Sequence, residues 1–441
     1  MQMTFRWYGE GNDNITQDMI RQIPGVTGLV WALHDKQPGE VWEVEEIEEV
    51  RKQIEGHGFH MDVVESVNVH DDIKVGLPTR DKYIENYKTT LRNLAKFGVK
   101  VVTYNFMPIF DWTRTDLFHP LPDGSNALYY EKDKIQDDYK EMAQYILENL
   151  HGMTFPGWEP ERMAKLDELF ALYRPVTKEK LWENLKYFLE QLMPVCHETG
   201  IKLAIHQDDP PWDIFGIPRL LVDKESIGRF LSMVDDEYNC LCLCSGSLGA
   251  NPNNDVPDII RTYCGRIAFA HIRNVKHYDN GDFSEVSHRD CDGDTQILEI
   301  MRAYHDCGYK GYIRPDHGRL LSAQRRGCAR KAHSAGGRHH HLRRHAQRVR
   351  TGLKMRRCVG DHLRNAGSKA SKIARACREA RHAQGQDLTI LSFFFRYTLP
   401  IPGQRLRRRT PSPGYRRGNG PQGRTHRPPP RPRPPVRRRR G

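Results

Sequence analysis

Short runs of β-branched and apolar residues alternate, up to about residue 320, with longer stretches whose apolar positions recur every three or four residues. That alternation predicts parallel strands joined by crossover helices. Eight strand-like runs stand out: MTFRWY at 3–8, VTGLVWAL at 26–33, HMDVVES at 60–66, VKVVTYNF at 99–106, IKLAIHQ at 201–207, CLCLCS at 240–245, IAFAHIR at 267–273 and GYIRPDH at 311–317. Eight such units predict an α/β fold, a closed (β/α)8 TIM barrel spanning residues 1–321. Between the runs, Val44, Ile47, Val50 and Ile54 recur among charges in a helix expected over 41–56, and a second helix is expected over 79–97. Gly98 and Gly200 stand where helices should stop. The stretch from about 107 to 175 is too long for an ordinary connection and reads as an insertion of loop and helix, suited to lid a site.

The pattern ends abruptly after Asp316-His317-Gly318-Arg319. From Ser322 to Gly441 there are 33 Lys and Arg, 29 of them Arg, against 3 acidic residues. The body before it carries 35 basic and 53 acidic residues, so the whole-chain charge of +12 hides two segments of opposite sign. An acidic body argues against a nucleic-acid-processing enzyme, such as an apurinic-site endonuclease. The tail has few aromatics and no binding motif to make it a nucleic-acid arm. Its Arg-over-Lys bias is what GC-rich codons read in a shifted frame produce. With so little apolar surface to bury, it is expected to be disordered apart from a short helix near 371–380.

The start, MQMTFRWYGEGNDN, lacks the basic and apolar anatomy of a secretory leader, and no run approaches the length of a membrane span. The ten cysteines form no disulfide-like framework. A reducing, cytoplasmic setting is expected.

In a barrel the chemistry sits at the C-terminal ends of the strands. His206 ends the fifth run in AIHQDDPP, Cys244 the sixth in LCLCSGSLGA, His271 the seventh in AFAHIRN, and Asp316 the eighth in YIRPDHGR. One His or Cys on a strand is more often core packing than a ligand. Four at equivalent ends of consecutive strands predict a single-metal site, and a buried Asp316 would itself need a cation or a partner. Imidazole, thiolate and carboxylate suit Mn(II), Fe(II) or Zn(II) and disfavour Mg(II). Cys240 and Cys242 share the face of Cys244, so a structural thiol cluster is the competing account.

These residues lie in segments that closely resemble the mannonate dehydratase family. The resemblance is carried by TFRWYGE at 4–10, IRQIPGVTGLVWAL at 20–33, ESVNVHDDIKVGLPTRDKYIENYK at 65–88, YNFMPIFDWTRTDL at 104–117, IHQDDPPWDIFGIPRL at 205–220, SGSLGANP at 245–252 and YIRPDHGR at 312–319. It implies a xylose-isomerase-like barrel that dehydrates D-mannonate to 2-dehydro-3-deoxy-D-gluconate in hexuronate breakdown. It also implies Mn(II) or Fe(II) at the four ligands above and a catalytic histidine at His317. The reaction needs a base, an acid and stabilisation of an enediolate. Arg6, Asn105, Arg273 and Arg314, at other strand ends, are candidates to hold the sugar acid's carboxylate and hydroxyls, or else to pair with body carboxylates. His288 and Asp292, in the loop YDNGDFSEVSHRDCDGD, open over the same face, with His288 taken as a substrate contact and a solvated loop as the alternative. The partner is a small sugar acid, with a homodimer as the oligomeric option and no membrane. An aldose–ketose isomerase on the same barrel is the alternative, against which Cys244 speaks because such sites are usually rich in carboxylates.

The family continues past PDHGR with a Gly- and Tyr-rich segment bearing a catalytic tyrosine, then a last barrel helix. Here LSAQRRGCARKAHS occupies 321–334 instead. The chain as written is therefore expected to be poorly stable and weakly active, or an inactive truncated homologue. If the tail is a shifted frame, another frame of the nucleotides after codon 321 restores a tyrosine-bearing helix; its absence from every frame would refute that account.

Overall fold

The computed structural model describes residues 1–319, except 11, 13–14, 136–138 and 149–159 and the side chains of 160–161. The basic tail and its expected short helix lie outside the described residues. Eight strands close into a parallel barrel: β1 (Gln2–Arg6), β2 (Val26–Trp31), β3 (His60–Glu65), β4 (Val101–Tyr104), β7 (Lys202–His206), β8 (Asn239–Cys244), β9 (Ile267–Ile272) and β12 (Tyr312–Pro315), in the order β1-β12-β9-β8-β7-β4-β3-β2. Each lies within one of the eight runs read from the sequence, give or take a terminal residue.

Strand alternation sends one set of side chains inward and the other outward. Val30, Val63, Val101, Ala204, Cys240, Cys242 and Phe269 pack together inside the barrel. Two residues further along, the inward positions become polar: Glu65 on β3, His206 on β7, Cys244 on β8 and His271 on β9. Register extends this layer, because Cys244 and Arg314 both lie beside His271. The barrel is thus dry below and charged at its C-terminal mouth.

The outward side chains pack under helices. Phe188, on the helix Lys178–Thr199, is fully buried against the rings of Tyr87, Tyr104 and Phe106, with centroids 5.2, 5.7 and 6.1 Å away. That helix opens with the Thr177 hydroxyl accepting from the Lys180 N–H and stops at Gly200, whose φ of 71° is costly for other residues. The two helices expected earlier run over Val44–Gly56 and Arg80–Ala95.

Two expectations are corrected. The insertion over 107–175 is not built of loop and helix alone: it contributes β5 (Asp116–Pro120) and β6 (Asn126–Tyr130). These join β10 (Asn274–His277) and β11 (Phe283–Val286) in an antiparallel sheet ordered β10-β11-β6-β5. The loop expected after the seventh strand is therefore partly a hairpin, whose partners lie far away in sequence. Cysteine pairing is the second correction. Cys264 and Cys307, 43 residues apart, form a disulfide with Cα atoms 6.3 Å apart, joining the approach to β9 to the end of the helix Ile297–Asp306. Barrel adjacency brings them together, which no local spacing reveals.

An ionic contact anchors the insertion to the short helix Asp71–Val75 that follows β3. Asp71 accepts from the Arg162 guanidinium at 3.0 Å and from the Tyr173 hydroxyl at 2.6 Å. Burial alone would raise its carboxyl, but Arg162 and Lys74 outweigh burial and hold it at about 2. A carboxyl depressed by folding stabilises above its unfolded value and loses that contribution as the pH falls through the folded one, here between about 4 and 2. Asp71→Asn should lower the urea-unfolding free energy by about 2 kcal/mol at pH 7, and the gap should narrow as the pH falls below 4. A gap independent of pH would contradict the assignment.

Candidate metal centre and active site

Four strand ends meet at one side of the mouth. Ligand atoms of His206, Cys244 and His271 lie within 4.8 Å of one another. Asp316 Oδ2 stands 3.5 Å from Cys244 Sγ and 3.8 Å from His271 Nδ1, so the fourth expected ligand adjoins the same group. The backbone fixes these positions. Cys244 ends β8 and caps the short helix Ser245–Gly249, and its N–H donates to Gln207 Oε1 at 2.9 Å. The Asp316 N–H donates to the Ile272 carbonyl, which ties the end of β12 to β9.

Electrostatics separate the three aligned cysteines. Burial raises the thiols of Cys240 and Cys242 above their usual value, so both stay neutral. Burial would do the same to Cys244, but the Arg273 charge and the imidazoles of His206 and His271 bring it well below its usual value. Of the three, the thiolate belongs to Cys244. The contact works both ways: His206, which burial would lower, is pushed up to about 9 by Cys244 and Asp316.

The imidazoles suit a cation. His206 Nδ1 lies 2.7 Å from the Gln207 carbonyl, which requires a proton there, so Nε2 is the nitrogen that would exchange its proton for a cation. His271 Nδ1 is buried and makes no hydrogen bond among the described residues. A buried polar atom without a partner is costly, and a bound metal would relieve that cost. One thiolate, two imidazoles and a carboxylate fit Mn(II), Fe(II) or Zn(II) better than Mg(II) or Ca(II).

Beside this group lies a buried charge network. Arg273, 1 % exposed, donates to Asp209 Oδ2 at 2.6 Å and Ser247 Oγ at 2.9 Å, and stands 3.5 Å from Glu285 and 3.6 Å from Asp316. Arg114 spans Asp209 at 2.8 Å and Glu285 at 2.9 Å and lies over the Phe283 ring. The network sews the small sheet, through Arg114 and Glu285, to the ends of β7 and β9. Gly246 makes room for it, since a Cβ there would collide with the Arg273 side chain.

His317 stands at the edge of the network with 41 % of its side chain accessible, Nδ1 being 2.5 Å from Glu285 Oε2 and Nε2 3.0 Å from Arg273. Burial would lower its imidazole, but the Asp316 and Glu285 carboxylates outweigh that and hold it above its ordinary value.

The other candidates fall into two groups. Arg6 is buried and reaches His34 Nε2 at 3.2 Å, with Tyr8 4.6 Å from its guanidinium. Asn105 is buried and accepts from the Met107 N–H at 3.3 Å, and His288 Nε2 meets the Ile272 carbonyl at 2.7 Å. Arg314, by contrast, clamps Glu65 with bonds of 2.9 and 2.7 Å and stands 3.0 Å from Asp316. Like Arg273, it spends its donors on carboxylates. Asp292 turns to Arg289 at 2.6 Å.

Sequence reading missed Glu65, Arg114, Asp209 and Glu285. Glu65 carried a signal, a carboxylate at the inward end of a strand, like Asp316. Asp209 sits in the QDDPP motif beside a ligand. Arg114 and Glu285 lie in elements whose pairing only the fold reveals.

A D-mannonate dehydratase (UxuA) family model matches residues 1–344. The mannonate dehydratase of Shouchella clausii (strain KSM-K16) is 58% identical over 322 residues, covering 73% of this chain and 90% of that protein. That of Bacillus subtilis (strain 168) is 55% identical over 322 residues, covering 73% and 89%. Among solved structures, mannonate dehydratase from Streptococcus suis serotype 2 superposes with a TM-score of 0.65 at 38% identity, covering 75% of this chain and 93% of that one.

Removing one member of a buried ionic network strands the rest. Arg114→Met, which keeps bulk and deletes charge, should destabilise the protein by about 3–5 kcal/mol, read as a lower urea midpoint. An unchanged midpoint would mean the network is not needed for stability.

Proposed function

The chain belongs to the mannonate dehydratase family, and from that premise we propose how its residues convert D-mannonate to 2-dehydro-3-deoxy-D-gluconate and water. The observation that carries the reading is the convergence of His206, Cys244 and His271, with Asp316 beside them, at the C-terminal mouth of the barrel. These four residues are the proposed ligands of one Mn(II) or Fe(II). When bound, the metal would supply Lewis-acid stabilisation for the negative charge that develops next to the substrate carboxylate.

In the reaction the C2–H bond breaks towards a base, a C2–C3 double bond forms and the C3 hydroxyl leaves as water once protonated. The enol then takes a proton at C3 as the 2-keto group forms. His317 is the proposed base for the C2 proton. Its side chain is 41 % accessible, and Glu285 at Nδ1 and Arg273 at Nε2 hold its ring. Arg6, Asn105 and His288 are proposed to bind the substrate's carboxylate and hydroxyls. Arg273 and Arg314, already engaged by carboxylates, act on the substrate mainly by fixing Asp316 and His317 and by their positive field.

The full chain incubated with Mn(II) and D-mannonate should release a 2-keto-3-deoxy acid, detectable by mass spectrometry. Cys244→Ser should lose bound metal and turnover together, while Cys240→Ser should keep both. Equal losses in the two variants would favour a structural thiol cluster, and metal uptake without product would identify a homologue that has lost turnover.

A further inference from the structure

We propose that Glu65 is a positioning residue of the metal centre: its carboxylate, clamped by Arg314, holds His271 with the proton on Nε2 and the Nδ1 lone pair turned towards Cys244 and Asp316. The inference rests on the metal-centre reading above and assigns a residue outside the ligand set.

Glu65 ends β3, across the barrel mouth from β9, and points inward. Its Oε2 lies 3.4 Å from His271 Nε2, the nitrogen opposite the one that faces Asp316. Both carboxylate oxygens are also bonded to Arg314, through Nε at 2.9 Å and NH2 at 2.7 Å. This two-point clamp fixes the carboxylate in a plane, which a single bond would not do. The same guanidinium stands 3.0 Å from Asp316 Oδ1, so one arginine sets both the fourth ligand and the carboxylate behind the third.

His271 Nε2 has a second neighbour, Cys242 Sγ at 3.4 Å. As an acceptor the sulfur would favour the same tautomer as Glu65, and as a donor the opposite one. A neutral thiol donating to Nε2 would move the imidazole proton to Nδ1 and block the ligand position. A carboxylate accepting from Nε2–H frees Nδ1. Glu65 wins on strength: held at both oxygens by the Arg314 guanidinium it is a charge-assisted acceptor, whereas a thiol is a weak donor. The unpartnered, buried Nδ1 is what this tautomer leaves behind. His206 reaches the same end by another route, with a backbone carbonyl in the place of the carboxylate.

The test is Mn(II) affinity of the metal-free full chain, measured by competition with a chromophoric chelator, alongside the thermal midpoint of each metal-free variant. Glu65→Gln should weaken Mn(II) binding by about 10–100-fold with a midpoint near that of the parent. Cys242→Ala should leave affinity unchanged, and His271→Ala should weaken it more than Glu65→Gln. If Glu65→Gln does not fold, Glu65→Asp, which keeps the charge but draws the carboxylate back from His271, carries the same expectation. Unchanged affinity in the folded Glu65 variant, with binding lost in His271→Ala, overturns this inference and leaves the metal centre standing. Loss on Cys242→Ala in its place assigns the positioning role to the thiol and overturns it too. Unchanged affinity in His271→Ala would refute the metal centre, and this inference with it.

Discussion

A guanidinium taken out of water has to be surrounded by anions, and Arg273 meets that demand with three: Asp209, Glu285 and Asp316. Much of the barrel mouth follows from satisfying it. Asp209 and Glu285 share Arg114, which recruits the small sheet to the ends of the barrel strands. Asp316 is pulled towards the thiolate–imidazole group, and Glu285 takes His317 Nδ1. A second arginine, Arg314, repeats the arrangement on the other side of Asp316 with Glu65. The two arginines flank the carboxylate proposed as a ligand and fix it from both sides.

The network also accounts for the selection of one sulfur among three in a row. Cys240, Cys242 and Cys244 share a strand face, yet only Cys244 lies where Arg273 and the imidazoles of His206 and His271 together outweigh burial. The barrel interior below is lined by valine, alanine and phenylalanine, and for the other two thiols burial outweighs the cations around them. Position along the strand, rather than residue type, makes the difference between packing and chemistry.

The barrel strands were legible because most of them, β8 and β9 above all, are buried on both faces, which leaves nearly continuous apolar runs bounded by polar turns. The metal group was legible for a related reason: a His, Cys or Asp ending such a run interrupts it at a fixed place. What stayed hidden depends on contacts between distant segments. Glu285 and Arg114 acquire their meaning from the pairing of β11 with β6 and from a bridge spanning 171 residues. The Cys264–Cys307 disulfide likewise follows from adjacency in the barrel. Glu65 was visible as a strand-end carboxylate but stands behind a ligand, and one-dimensional spacing does not separate such residues from the ligands themselves.

The central claim is that the ends of β7, β8, β9 and β12 form one metal centre. Crystals of the full chain grown with Mn(II), with data collected on both sides of the manganese absorption edge, test it most directly. The account predicts one anomalous peak per chain, within bonding distance of His206, Cys244, His271 and Asp316. A peak elsewhere, or none at this position with Mn(II) in excess, would contradict it.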